Sequence, residues 1–337
     1  MTERLSQIQN FLQQYQPAGD WQIEAISGDA SFRRYFRVKS GLQQWVLMDA
    51  PPALEDGQRF IAVAEALAGV GLQVPQVLAA DVASGLLLLQ DLGDDLLQFS
   101  LTEQNAADWY RQALALLLQM QAVTGTAQGH FPQFDRAFVL RELQIFSDWF
   151  LPVHLQIKPD SATNALIEKT FSLIADEVLA QPQAGMHRDF HSRNLMIQSN
   201  QMLAVIDFQD AVIGPISYDA VSLLRDCYVR WPDTLVNTLS DEFYSMLRQH
   251  ERLPETYSVA QFRRGFDWTG LQRHLKVCGI FARLYHRDNK AGYLADLPRV
   301  VGYVSDIAAR YPELTAFSQW FETVVLPRFN EVSACAR

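Results

Sequence analysis

Two short segments, HRDFHSRN at residues 187–194 and DFQD at residues 207–210, stand on either side of a largely apolar run. They place a carboxylate at Asp189, an amide at Asn194 and a second carboxylate at Asp207. Phosphoryl transfer from ATP needs one carboxylate that orients and deprotonates a hydroxyl, and oxygen ligands that hold Mg²⁺. The spacing predicts a kinase in which Asp189 is the catalytic residue and Asn194 and Asp207 bind the metal. The alternative is that these residues only cap turns and end a strand.

Length and charge restrict the class of protein. A chain of 337 residues exceeds the size at which one hydrophobic core stops growing, so two lobes are expected. The formal net charge of −10 argues against a nucleic-acid or anionic-membrane partner. No apolar stretch approaches the roughly 18 residues of a spanning helix, and the amino terminus is polar rather than signal-like. Three widely spaced cysteines suit a reducing compartment. We therefore expect a cytoplasmic enzyme with a small-molecule substrate and no obligate protein partner.

The first ninety residues are strand-rich and contain a turn of small residues. Strand patterns cover 21–26, 35–38 and 44–48, and a helical pattern covers 55–72. A turn of this kind can lay its backbone amides over phosphates, and it is equally an ordinary hairpin turn. The predicted nucleotide contacts in this region are Gly28, Asp29, Ala30, Ser31, Arg33 and, on the helix, Glu65.

One expected residue is missing from this region. Kinases pair the helix acid with a lysine on a strand, but the third strand ends in Met48 and Asp49. Arg33, Arg34 or Lys39 can take over the phosphate contact, and the sequence does not choose among them. Glu65 is equally well explained as a solvated helix charge.

A buried strand followed by a polar, glycine-ended connector covers residues 86–93, LLLLQDLG. This is a natural hinge, where the backbone at Gln90, Asp91 and Leu92 can meet an adenine edge; the alternative is an edge strand with a turn. Beyond the hinge, 102–122, 141–150 and 161–180 have helical periodicity, and Pro152 follows the second. We predict an amino-terminal nucleotide-binding lobe over 1–92 and a mostly helical catalytic and substrate-binding lobe over 93–337. Ser217 or Asp219 is expected to cap a helix.

Together these segments resemble the aminoglycoside phosphotransferase family, a small-molecule branch of the protein-kinase-like fold, over nearly the whole chain. The resemblance implies an α+β, bilobal fold with a small antiparallel β-sheet in the first lobe. Residues 187–232 and 267–283 are most similar to the subgroup of bacterial anomeric kinases of N-acetylmuramate and N-acetylglucosamine. That likeness implies phosphorylation of the C1 hydroxyl of an amino sugar in peptidoglycan recycling. The alternatives are a kinase for another alcohol, such as an aminoglycoside or choline, and a non-catalytic pseudokinase.

Aromatic and basic residues in the same segments suit a sugar. Trp231 and Trp268 can lie against a pyranose face, and Asp210 can meet a hydroxyl. One of Arg225, Arg230 and Arg273 can bind the carboxylate of a lactyl ether. The competing interpretation for Trp231, which precedes Pro232, is a packed helix end, and for Arg273 it is an exposed helix face.

Overall fold

The computed structural model describes residues 2–17, 19–26 and 32–335. Within these ranges the strands are β1 (Gln22–Ile26), β2 (Arg34–Ser40), β3 (Gln43–Asp49), β4 (Val77–Asp81), β5 (Leu86–Gln90), β6 (Gly125–Thr126), β7 (Gly129–His130), β8 (Gln183–Met186), β9 (Leu195–Ile197), β10 (Leu203–Val205) and β11 (Val212–Pro215). The α-helices are α1 (Thr2–Tyr15), α2 (Gly57–Gly69), α3 (Leu97–Ser100), α4 (Ala106–Met120), α5 (Arg136–Ile145), α6 (Ser161–Leu179), α7 (Tyr218–Leu224), α8 (Asp233–Gln249), α9 (Val259–Asp288), α10 (Leu297–Ala308), α11 (Thr315–Trp320) and α12 (Leu326–Cys335).

The chain forms two compact units. The first comprises Met1–Ser100, Gly125–His130 and Arg193–Asp210, and the second comprises Leu101–Thr124, Phe131–Ser192 and Ala211–Arg337. The first unit thus extends to residue 100, beyond the predicted boundary at 92. It also includes two short segments, 125–130 and 193–210, that are separated from it in the sequence by parts of the second unit. Among the described residues, no helix combines the length and the apolar character needed to cross a membrane.

The first unit is built on an antiparallel sheet with strand order β1-β2-β3-β5-β4. Alternation along the strands gives the sheet two faces. On one face, the apolar side of α1 contributes Ile8, Phe11 and Leu12 to a buried cluster with Trp45 and Leu88. The hairpin of β9 and β10 also belongs to this unit, and its register pairs residue 195 with residue 205. This sheet confirms the predicted small antiparallel lobe.

The second unit is mostly helical, as predicted, and α9 runs through its core. This helix has 30 residues and begins with a capping box between Ser258 and Gln261. Its Trp268, Leu271 and Leu275 are fully buried in a large apolar cluster of the unit. Because α9 is central and long, polar residues on it are held rigidly.

A helix and a strand illustrate where the structure differs from the sequence prediction. The predicted helix over 141–150 begins earlier, at Arg136, and continues past α5 as a π-helical segment, Phe146–His154, that contains Pro152. The wider π turn accommodates the proline, which the periodicity alone places at a helix end. Strand β4 was not predicted. Its five residues are all partly or fully exposed, and they include two alanines and an aspartate, which have low strand propensity.

Candidate active site

In the second unit, the segment that follows β8 carries Asp189 in a turn held by a buried carboxylate. Asp219 is 1% exposed, and its oxygens accept hydrogen bonds from the backbone N–H groups of His187 (2.6 Å) and Arg188 (3.0 Å). Arg188 has a φ of +80°, a left-handed conformation that costs a non-glycine residue roughly 1–3 kcal/mol. The two hydrogen bonds stabilise this conformation and so fix the direction of the next residue, Asp189. Burial raises the pKa of Asp219 to about 6.

The capping prediction for α7 is therefore wrong. Ser217 precedes the helix but its side chain makes no cap hydrogen bond, and its hydroxyl donates instead to Gln181 Oε1 at 2.6 Å. The Asp219 side chain accepts hydrogen bonds from the backbone of His187 and Arg188 rather than from the helix amides. Sequence reasoning assigned a local partner to a carboxylate whose partners lie about thirty residues earlier, and local patterns carry no signal for such long-range contacts.

Asp189 contacts a cation from the central helix. Arg273 Nη1 donates to Asp189 Oδ1 at 3.2 Å and to the carbonyl oxygen of Arg188 at 2.8 Å, while its own side chain is 2% exposed. The Asp189 side chain is 43% exposed, so it remains accessible to a ligand. Burial alone works to raise the pKa of Asp189, but the positive charges of Lys276 and Arg273 hold it well below its usual range. Asp189 is therefore a carboxylate at neutral pH.

A buried ion network lies beneath this contact. Glu142 on α5 accepts from Arg188 Nη2 at 3.0 Å and from Gln272 Nε2 at 3.0 Å, and it lies 3.1 Å from Lys276 Nζ. Burial works to raise the pKa of Glu142, yet Lys276 and Arg188 hold it below its usual value. Buried charges persist when they are paired and hydrogen-bonded. The role of Glu142 was not predicted from the sequence. The only sequence feature that points to its burial is its position on α5 beside the buried apolar residues Val139 and Leu143.

A second buried carboxylate holds the far end of the same segment. Asp226 is 0% exposed and accepts from the backbone N–H of Ser192 at 2.9 Å, from the Ser192 hydroxyl at 2.5 Å and from the backbone N–H of Tyr228 at 2.8 Å. The loop from His187 to Ser192 is thus held at both ends by aspartates that were not predicted to do so. Such support restricts the motion of Asp189.

The first unit contains a cavity of about 680 Å³. Its walls are largely apolar, with Ile26, Val46 and Leu89 among the lining residues, and they also include charged and amide side chains. This combination is typical of small-molecule sites. The polar lining residues include several of those predicted from the sequence, namely Arg33, Gln90, Asp91, Asn194 and Asp207.

The two predicted metal ligands both lie in this unit and line this cavity. Asn194 immediately precedes β9 and Asp207 follows β10 by two residues, so the antiparallel pairing brings them to the same end of the hairpin. The backbone N–H of Ile206 donates to the carbonyl oxygen of Asn194 at 3.0 Å. Asp207 has a φ of +62°, and its Oδ1 accepts from Gln209 Nε2 at 3.0 Å. One amide and one carboxylate suit Mg²⁺, which commonly uses one or two protein carboxylates together with substrate phosphates.

The predicted hinge residues follow β5 and also line the cavity. The backbone N–H of Gln90 donates to Gln76 O at 2.8 Å, and the carbonyl oxygen of Leu92 accepts from Gln198 Nε2 at 3.1 Å. Asp91 accepts from Arg37 Nε at 2.7 Å. These contacts make the segment a fixed wall of the cavity, against which a flat base can pack.

The predicted phosphate contacts have different outcomes. Gly28, Asp29, Ala30 and Ser31 lie outside the described residues. Glu65 is an exposed residue of α2, whereas the acid near Arg33 is Glu55, which lies 3.7 Å from Arg33 Nε in the loop before that helix. The sequence prediction chose a helix acid because protein kinases use one there.

The two tryptophans proposed for the sugar occupy different environments. Trp268 is 0% exposed in the core of the second unit, so neither of its ring faces is open to a ligand. Trp231 is partly exposed, and its Nε1 donates to Tyr110 Oη at 2.8 Å. In the first unit, Asp210 is exposed and accepts from Gln209 Nε2 at 3.3 Å.

Each of the three candidate arginines has a carboxylate partner. Arg225 is 4% exposed and donates to Asp267 at 2.5 Å, while Arg230 donates to Asp306 at 2.6 Å with 39% of its side chain exposed. The third, Arg273, contacts Asp189 as described above. Of these guanidinium groups, that of Arg230 is the most accessible.

Comparison with known proteins identifies the family of the chain. The profile of the phosphotransferase enzyme family matches residues 22–262, which include the segments 187–194 and 207–210. The chain belongs to this family. As a phosphotransferase, it has curated relatives named N-acetylmuramate/N-acetylglucosamine kinase. The relative from Pseudomonas aeruginosa is 42% identical over 293 residues, covering 87% of this chain and 86% of its own. That from Neisseria meningitidis serogroup B is 37% identical over 317 residues, covering 93% of each chain.

Solved structures confirm the predicted kinase-like fold class of this phosphotransferase. An aminoglycoside phosphotransferase, APH(4)-Ia, superposes with a TM-score of 0.59 at 16% identity and covers 89% of this chain and 98% of its own. Choline kinase LicA from Streptococcus pneumoniae gives 0.58 at 13% identity and covers 89% of this chain and 99% of its own. At these identities the likeness concerns the fold alone.

Proposed function

We propose that this phosphotransferase is an ATP- and Mg²⁺-dependent kinase of N-acetylmuramate and N-acetylglucosamine that acts on the anomeric C1 hydroxyl. The observation that carries the substrate class is the 37–42% identity, over most of the chain, with relatives of that name. The predicted recognition segments, 187–232 and 267–283, suit the same substrate. Peptidoglycan recycling in the cytoplasm is the setting that this chemistry fits.

The residues of the two units support distinct parts of the reaction. In the first unit, the apolar cavity wall and residues 90–92 suit a nucleotide base, and Asn194 and Asp207 suit Mg²⁺. Asn194 and Asp207 would hold the metal, whose positive charge would offset the negative charge of the transferring phosphoryl group. In the second unit, Asp189 is held as a carboxylate and would accept a hydrogen bond from the sugar hydroxyl. A hydroxyl so oriented attacks from one direction, which is most of what phosphoryl transfer requires of a protein.

A blocked sugar tests the position of transfer. Methyl N-acetylglucosaminide lacks a free anomeric hydroxyl and retains every other hydroxyl of the sugar. We expect the free sugar to consume ATP and the methyl glycoside to give no more than background turnover, measured by ADP release and by phosphorus NMR of the product. Equal phosphorylation of both sugars would contradict the anomeric assignment. Turnover of aminoglycosides or choline without turnover of free amino sugars would contradict the substrate class.

We propose Arg230 as the residue that binds the lactyl carboxylate of N-acetylmuramate, because its guanidinium is the most accessible of the three candidates. A charge-assisted pair of this kind contributes about 1.5–3 kcal/mol, or about ten- to hundredfold in kcat/KM. Arg230→Gln should therefore lower kcat/KM for N-acetylmuramate by that factor and leave N-acetylglucosamine, which lacks the carboxylate, nearly unchanged.

Arg273→Gln is the matched comparison for that experiment. Because Arg273 contacts Asp189, its loss should lower kcat on both sugars together. Parallel losses on both sugars in Arg230→Gln would contradict the carboxylate role and would indicate that its pair with Asp306 is structural.

A further inference from the structure

On the cavity-facing side of the sheet in the first unit, the position on β3 where a kinase lysine is expected carries an apolar side chain. In the register of β2 and β3, Tyr35 pairs with Met48 and Arg37 pairs with Val46. Tyr35, Arg37 and Val46 line the cavity, so Met48 stands on the same face of the sheet. Met48 is 1% exposed and carries no charge. The strand that would supply a lysine therefore supplies an apolar side chain.

The neighbouring charged residues of the sheet do not replace that cation. Arg34 and Asp49 pair with one another across β2 and β3, on the face opposite Tyr35, and Asp49 also accepts from Arg4 Nη2 at 2.7 Å. Lys39 stands near the other end of β2, where it pairs in register with Gln44, and it does not line the cavity. Both basic residues are thus placed away from the cavity. Arg37 does line the cavity, but its guanidinium is paired with Asp91 at 2.7 Å and with Asp94 at 2.9 Å.

Arg33 is placed where the missing charge is needed. It lies two residues before Tyr35 and lines the same cavity, and its side chain is 8% exposed. Its Nη2 lies 3.5 Å from Asp207 Oδ1, and its Nε lies 3.7 Å from Glu55 Oε2. The guanidinium therefore sits between one of the two proposed metal ligands and a second acid, inside a cavity suited to a nucleotide.

We propose that Arg33 supplies the cationic contact to the nucleotide phosphates and that Glu55 orients it, in place of a strand lysine and a helix glutamate. The inference rests on the proposed kinase function. A guanidinium presents five N–H donors in a planar fork, so one group can hold a carboxylate and phosphate oxygens together. The contact comes from the residue just before β2 because the adjacent strand position is occupied by Met48.

Binding measurements separate this role from a structural one. Arg33→Gln should weaken the binding of ADP by about ten- to hundredfold, measured by titration calorimetry with Mg²⁺. The same variant should bind adenosine, which has no phosphates, within about twofold of the unmodified protein, because base contacts and folding are retained. Arg33→Lys should recover part of the ADP affinity, since lysine keeps the charge but loses the fork.

Lys39→Gln is the matched control, because it removes the same charge from the adjacent strand without touching the cavity. We expect its ADP affinity to stay within about twofold of the unmodified protein. Unchanged ADP binding in Arg33→Gln would overturn the inference and leave the kinase assignment standing. Equal losses for ADP and adenosine would overturn it too, because they would show that Arg33 only maintains the cavity. If the unmodified protein bound neither ligand, the proposed function itself would fail.

Discussion

Asp189→Asn should lower kcat by about 10²–10⁴ with either amino sugar, the usual contribution of a positioned general base. Asparagine has nearly the same shape, so hydrogen bonds to the amide can replace those to the carboxylate without repacking. The substituted group cannot accept a proton from the sugar hydroxyl. The affinity for nucleotide should change little, because the predicted nucleotide contacts come from the first unit. Steady-state kinetics and calorimetric titration with ADP measure the two effects separately.

The control for this variant is its thermal stability, since Asp189 pairs with buried Arg273. Removing one partner of such a pair leaves a buried charge with fewer partners and destabilises the protein. A melting temperature close to that of the unmodified enzyme, together with the loss of turnover, would assign the effect to chemistry. Near-normal turnover would contradict the role of Asp189.

The low pKa of Asp189 defines what kind of base it can be. Because Lys276 and Arg273 stabilise its charged form, it has little tendency to take a proton before the reaction begins. In a loose phosphoryl-transfer transition state, however, the bond to the leaving group is largely broken before the hydroxyl loses its proton. Orientation of the hydroxyl is then needed early and proton acceptance late. A carboxylate held ionised by buried cations suits that order of events.

The sequence was most informative where function depends on local spacing. The eight residues from His187 to Asn194 and the acid at 207 predicted a phosphotransferase, and the family match confirms that prediction. Strands β1, β2, β3 and β5 and the helices α2, α4 and α6 were also predicted near their observed bounds. In each case the signal is a period of 2 or 3.6 residues, which depends only on neighbours along the chain.

The supporting contacts could not be predicted, because they join residues far apart in the sequence. Asp219 lies 31 and 32 positions from its amide donors, and Gln272 lies 130 positions from Glu142. Likewise, the sequence presented Arg273 either as a ligand for a substrate carboxylate or as part of an exposed helix face. The structure places Arg273 against Asp189, and only the fold could bring α9 to that residue.

Asp207→Asn should raise the Mg²⁺ concentration needed for half-maximal activity by at least about 10–100-fold, since even residues that only support a metal ligand contribute that much to affinity. The substitution removes a negative charge from a site that holds a divalent cation. Asparagine is the better choice than alanine because the φ of Asp207 is +62°, a conformation that asparagine tolerates and most other residues do not. A magnesium titration at saturating sugar and nucleotide measures the effect.

Asn194→Ala is the comparison, because Asn194 would be a neutral ligand and its loss should shift the same titration less. The difference between the two magnesium titrations measures the effect of the charge on the metal ligand rather than the effect of losing one ligand. In Asp207→Asn, the guanidinium of Arg33 also loses a carboxylate that lies 3.5 Å away, so it keeps fewer anionic neighbours. That change alone would strengthen its attraction to phosphates. A higher magnesium requirement with retained affinity for metal-free ADP would therefore assign the loss to the metal, whereas an unchanged magnesium dependence would contradict the role of Asp207.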